Sequence, residues 1–234
     1  DKDSIQLPNF LNIFNVIVVF SSALFIGSFL VNQIKLEMSN QFEKVSISVG
    51  LGFSVIIILM QILGFFGLLF PVAFKTIFYM IFFLFFLKNI KNIKNINFNS
   101  RKLHQYSFEY IMIGGFLVCL SLLYFIALST PTLDGDSIYG YLSLAREYFL
   151  QKKIVSVDYY YGSQYPQNGQ LISTLGFLLN DQITAQLLVS WLMGILCCLV
   201  IFSISKIVIN RNRAALIAIL LLSLIHISEP TRLG

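Results

Sequence analysis

FLNIFNVIVVFSSALFIGSFLV, residues 10–31, runs from Phe10 to Val31 without one charged side chain. A helix needs about 20 apolar residues to cross the hydrocarbon of a bilayer, and this run supplies them. Backbone in hydrocarbon must satisfy its own hydrogen bonds, so only helices and closed barrels survive there. Barrel strands would read as short alternating segments, so the continuous run means helix.

Further runs follow at 45–66, at 71–87 after a tight break from Gly67 to Pro71, at 110–128 and at 184–204, and a sixth begins at Ala214. Pro71 suits a helix start, where its missing N–H costs nothing. Hydrophobic residues make up 57%, charged residues 12%, and mean hydropathy is +0.80. A soluble domain holds about 45–50% apolar and about 25% charged residues, so a soluble fold is excluded. The expected fold is all-α: a polytopic transmembrane bundle of five complete helices and a truncated sixth, with an extracytoplasmic loop containing juxtamembrane amphipathic helices. The organisation expected is transmembrane helices 1–4 over 1–128, the extracytoplasmic loop over 129–183, helix 5 and the start of helix 6 over 184–221, and an appended tail over 222–234.

That tail reads LSLIHISEPTR from Leu222 to Arg232 and resembles a translated transposase sequencing adapter. It is set aside, with His226, as a scar. With no Met before Asp1, the chain reads as a fragment, expected to be inactive by itself.

The net charge is +5 and the pI about 9.1, but the basic residues stand beside helix ends, which signals topology and not nucleic acid. Lys88, Lys91, Lys94, Arg101 and Lys102 precede any acid before Glu109, and such clusters stay on the cytoplasmic side. Lys206, Arg211 and Arg213 agree with them, so the segment 129–170 is extracytoplasmic. The Lys-Asn-Ile repeat at 88–94 is low-complexity and carries no functional weight. Cys119, Cys197 and Cys198 lie in apolar runs and read as buried small hydrophobes, while Gly114-Gly115 and Gly50-x-Gly52 read as helix-packing contacts. Lys75 lies close enough to its helix start to snorkel. Scarcely any other ionisable residue falls inside the spans, which weighs against an ion-coupled transporter.

The polar segment is STPTLDGDSIYGYLSLAREYFLQKKIVSVDYYYGSQYPQNGQ. Ile138, Tyr141, Leu142, Ala145, Tyr148 and Phe149 recur at helical spacing, with Ser143, Arg146 and Glu147 opposite and Lys152 and Lys153 at the end. This predicts a helix lying on the outer membrane surface, apolar side down. Asp134 and Asp136 stand at its start. Either can cap the helix, one can serve as a general base, or the two at D-G-D spacing can bind a divalent cation through oxygen. His104 is the only histidine outside the tail, so neither a Ser-His-Asp triad nor a His-rich metal site has material here.

The stretch 131–204 resembles the first large outer loop and next helix of bacterial GT-C-type glycosyltransferases. These polytopic enzymes take sugars from polyprenyl-phosphate carriers. The resemblance rests on an acid just past a transmembrane helix (Asp136), an aromatic residue (Tyr139 or Tyr141), the Ala145-Arg146-Glu147 step, and Tyr165-Pro166 before the apolar run 171–179. It implies Asp136 as catalytic base and Asp134 as a metal ligand or supporting acid. Arg146, Lys152 and Lys153 would attract the donor phosphate, and Tyr159, Tyr160, Tyr161 and Tyr165 would stack on a sugar or form an interfacial belt. Two departures stand out. Where relatives often read D-x-L-x-Y-H-L, this chain has Gly140-Tyr141 in place of Tyr-His, and three helices, not one, precede the acids. The implied partners are membrane lipid, a polyprenyl-phosphate-linked sugar and an acceptor that the residues do not name. A non-catalytic membrane scaffold and a transporter or flippase for lipid-linked saccharides stay open as alternatives.

Overall fold

The computed structural model describes residues 9–36, 38, 41–93, 108–128, 142–156, 168–209 and 216–219. These residues form an all-helical protein. Four helices are long and apolar enough to cross a membrane, which marks a multi-pass membrane protein.

Helix α1 (Phe10–Ile34) opens on a capping box. Asn9 Oδ1 accepts from the Asn12 amide at 3.1 Å, and Asn12 Oδ1 accepts from the Asn9 amide at 2.9 Å. Two donors that a helix start leaves unpaired are thereby satisfied. At the other end Lys35 turns left-handed, with φ 53°, and its N–H bonds Val31 O. Helix α2 (Gln41–Phe65) returns antiparallel to α1. It stops in a Schellman turn, in which Gly67 takes φ 72° and Leu68 N–H reaches back to Leu63 O at 2.8 Å. The positive φ suits glycine, which has no Cβ to clash. Pro71 then opens α3 (Pro71–Ile93), which runs past residue 87 into the Lys-Asn-Ile tract.

Helices α1 and α2 meet backbone to backbone. A Cβ on Gly27 would collide with the Ser48 carbonyl, and one on Gly52 with the Ala23 carbonyl. Close approach of this kind is the usual way to gain packing energy in lipid, where the hydrophobic effect does not draw helices together. Gly50, Gly114 and Gly115 face no neighbour among the described residues, so of the expected glycine contacts only Gly52 is made. Helix α3 joins α1 through Tyr79 Oη, which donates to Asn15 Oδ1 at 2.9 Å, and through Phe82, whose ring meets Phe14 edge-on at 5.8 Å.

Helix α4 (Phe108–Leu128) corresponds to the expected fourth span. Two short helices follow, α5 (Leu142–Gln151) and α6 (Asn168–Leu179). The last long span, Gln182–Val208, is compound. It consists of α7 (Gln182–Gln186), one π-helical stretch (Leu187–Leu192) and α8 (Met193–Ile209). Of the expected sixth helix only 216–219 are described, and they are helical.

The contacts sort into two ends. Asn12, Gln61, Leu69, Lys152 and Asp181 share one end, called here the α5 end. At the opposite end Lys88 Nζ lies 5.4 Å from the Phe25 ring centre and Lys206 Nζ 5.6 Å from that of Phe42. Ser46 and Ser203 hydroxyls also meet there, 3.3 Å apart.

Two expectations change. Cys119 and Cys197 are exposed on their helices and Cys198 is half-buried, all three free thiols; none packs in the core. Helix α5 does not turn its apolar face to lipid alone, because α6 covers it, and α6 itself is buried on nearly every side from Gln170 to Leu179.

Candidate functional site

Helix α5 buries Leu142, Leu144, Ala145 and Tyr148 and leaves Arg146 exposed. The buried face packs on α6, where Thr174 Oγ1 donates to Ala145 O at 3.4 Å and the Phe149 and Phe177 rings stack at 6.1 Å. On the polar face Gln151 Nε2 donates to Glu147 Oε2 at 3.3 Å.

The end of α5 is fastened to the α2–α3 turn by main chain. Lys152 takes φ 57°, and its carbonyl accepts from Leu69 N–H at 3.1 Å. Ile154 N–H donates to Gly64 O at 3.0 Å, a carbonyl that also accepts from Gly67 N–H at 3.2 Å. Gly64 leaves room for this, since a Cβ there would meet the Ile154 side chain at 2.7 Å. Lys152 Nζ stands 5.3 Å from the Phe70 ring centre, a cation–π contact. Arg146, Lys152 and Lys153, all expected to bind substrate, are each exposed.

Asp134 and Asp136, the expected acids and metal ligands, lie outside the described residues. So do Tyr139, Tyr141, Tyr159, Tyr160, Tyr161 and Tyr165. Among the described residues no group of three or more His, Cys, Asp or Glu stands together.

No protein-family model, curated protein or solved structure matches this chain. Function must be argued from the residues themselves.

A second polar cluster at the same end was missed by the sequence reading. Asp181, half-buried, caps α7. Its Oδ1 accepts from Asn12 Nδ2 at 2.6 Å, Thr184 N–H at 2.9 Å and Thr184 Oγ1 at 3.0 Å. Asn12 Nδ2 also donates to Thr184 Oγ1 at 3.0 Å. All of these donors are neutral, so the carboxylate is held by dipoles. Hydrogen bonds to a charged acceptor are worth about 1.5–3 kcal/mol each, enough to make this cluster a clasp between α1 and the compound span. An Asn-x-x-Asn at the start of an apolar run and an acid just ahead of another were the available signals.

Two buried groups near this end lack partners among the described residues. Asn15 Nδ2 is one, although Asn15 Oδ1 holds Tyr79. The Tyr148 hydroxyl is the other, and burial pushes Tyr148 above its ordinary pKa of 10.0, because a phenolate there would lose its hydration.

Proposed function

We propose that this chain belongs to a membrane glycosyltransferase of GT-C type, in the cytoplasmic membrane of a bacterium. It transfers a sugar from a polyprenyl-phosphate carrier to an acceptor on the outer face. The observation that carries the reading is the fastening of α5 to the α2–α3 turn through Lys152, Leu69, Ile154 and Gly64. The segment bearing Asp134 and Asp136 leads directly into α5, and Arg146, Lys152 and Lys153 are exposed on that helix and its end. A lipid phosphate at the membrane edge would meet this positive charge, and Asp134 and Asp136 precede it by 10 to 19 residues along the chain.

In this reading the α5 end faces outward and the lysines at 35, 88 and 206 face the cytoplasm, as the distribution of basic residues implies. The spanning helices then number five with a sixth begun at Ala214. Asp136 takes the proton from the acceptor as general base, and Asp134 supports it or shares a divalent cation with it. The acceptor oxygen then attacks the anomeric carbon while the polyprenyl phosphate leaves.

The test uses membranes carrying the protein, expressed from a gene resequenced across 222–232, as wild type or Asp136→Asn, supplied with radiolabelled polyprenyl-phosphate sugars. Lipid-dependent transfer lost in the variant at equal protein level supports the reading. Transfer unchanged by the variant returns Asp136 to helix capping. No transfer from any donor leaves the scaffold and flippase readings ahead.

A further inference from the structure

Between α2 and α3 the chain turns within a few residues at the α5 end, and the turn is apolar and exposed. Phe65, Phe66, Leu68, Phe70 and Val72 all present their side chains to the surroundings of the protein. Both helices are long and apolar enough to cross a membrane, so their junction stands where hydrocarbon gives way to headgroups. There these side chains leave water for lipid, which is favourable.

Against this turn the fold sets two cations from a distant part of the sequence. Lys152 is anchored by its carbonyl to Leu69 N–H and leans its ammonium on the Phe70 ring, 5.3 Å from the centre. Lys153 stands beside it, since a Cβ built on Gly67 would lie 3.8 Å from that of Lys153. No acid occurs in 65–75 or in 148–157, and Lys75 adds a third cation to the first stretch. Glu147, just ahead of the second, is engaged with Gln151. The surface therefore joins apolar side chains to a local excess of positive charge.

Lys152 also holds φ 57° directly after α5. The left-handed position after a helix is most often glycine, because a Cβ is strained there. A lysine complements the negative end of the helix dipole, but one in the last turn does so without strain. This points to a use for the ammonium at 152 in particular.

We propose that the α2–α3 turn and Lys152–Lys153 form a docking site for an anionic phospholipid of the surrounding bilayer. Its phosphate lies on the two ammonium groups, and its glycerol and upper acyl carbons lie against the exposed side chains of the turn. The Phe70 contact keeps the Lys152 ammonium at the turn, where the headgroup of a lipid beside α2 and α3 meets it. The same lysines enter the reading above as contacts for a donor phosphate, but docking needs no sugar, no acid and no transfer.

The experiment uses the full chain, purified in detergent, stripped of lipid and offered equal amounts of phosphatidylglycerol and phosphatidylcholine, with retained lipid counted by native mass spectrometry. Phosphatidylglycerol is expected to be retained about twentyfold over phosphatidylcholine, about fivefold for each lysine. Lys152→Gly, which suits the left-handed backbone, should lower that preference about fivefold without lowering the melting temperature, and Lys152→Arg should keep it. Lys152→Gly with Lys153→Gln should abolish it, whereas Lys44→Gln, exposed near the opposite end of α2, should leave it unchanged. Should Lys152→Gly fail to fold, Lys153→Gln alone carries the test, again with about a fivefold loss expected. Equal retention of the two lipids, a preference that survives the lysine variants, or an equal loss in Lys44→Gln would overturn the proposal. So would displacement of the phospholipid by an equal concentration of soluble glycerol phosphate, which would make the turn a free-anion site, or of polyprenyl phosphate, which would give it to the donor. A phospholipid preference without glycosyl transfer sinks the functional reading and leaves the docking site standing; transfer without the preference does the reverse.

Discussion

The side-chain amide of Asn12 donates to the carboxylate of Asp181 at 2.6 Å across a sequence separation of 169 residues, and the Thr184 hydroxyl lies within reach of both. The first turn of α1 is tied in this way to the start of the compound span. Around that tie stand α6, buried on nearly every side, and α5, fastened to the α2–α3 turn. The α5 end is therefore the most highly cross-connected part of the described protein.

Asn12→Leu and Asp181→Ala should each cost about 1.5–3 kcal/mol of stability, as expected for a hydrogen bond to a charged acceptor. Unfolding of purified protein in detergent would measure it. The double variant should lose about 1–2 kcal/mol less than the sum of the singles. Asp181→Asn, which keeps an acceptor oxygen, should lose less than Asp181→Ala. Strict additivity would mean that the two side chains do not act together.

The glycines should divide by what they face. Gly52→Leu and Gly27→Leu drive side chains into the Ala23 and Ser48 backbone and should cost at least about 3 kcal/mol. Gly50→Ala, two residues from Gly52 but facing open space, should be neutral or stabilise by up to about 1 kcal/mol. Yield of folded protein and melting temperature separate the cases.

Tyr148→Phe removes a buried hydroxyl that has no partner among the described residues and should stabilise by up to about 1 kcal/mol. The pH dependence has a definite sign. Because burial raises the folded-state pKa above 10.0, the unfolded chain releases the proton first, and stability present below pH 10 falls as pH rises past it. Tyr148→Phe should show a shallower alkaline loss than wild type between pH 9 and about 11.

The orientation can be read with thiol reagents in intact cells, on a background with native cysteines changed to Ala. Lys153→Cys, at the α5 end, should react with a membrane-impermeant maleimide, and Lys35→Cys, at the opposite end, should react only after the cells are opened. The reverse pattern would invert the orientation inferred from the basic residues.

Much of the helical framework was open to reading. The runs at 10–31, 45–66 and 71–87 became α1, α2 and α3, because length and lack of charge suffice to specify a membrane-crossing helix. The apolar stretch at 171–179 was legible as a helix but not as a buried one. An apolar pattern of about a dozen residues looks the same whether protein or lipid covers it. The cysteines misled for a related reason: in a membrane the apolar outside of a helix is as acceptable as its inside. The Asn-x-x-Asn and the acid ahead of the last long span did not single out the Asn12–Asp181 tie, since polar residues at a helix start are equally well explained as caps. The π-helical turn had no sequence mark either, because Leu187–Leu192 would fit an ordinary α-helical turn equally well. Arg146, Lys152 and Lys153 are exposed, as their place on the polar face and at the end of α5 implied.

The same tie also bears on the order of biosynthesis. Gly27 and Ser48 can come together as soon as α2 enters the bilayer, whereas Asn12 must wait for Asp181. At roughly 5–20 residues per second of translation, a separation of 169 residues means a wait on the order of ten seconds or more with the amide held at the membrane edge, hydrated or in the grip of an insertion factor. The bond between α1 and the compound span is thus among the last to form, and a chain that stops before Asp181 carries α1 to α6 without it.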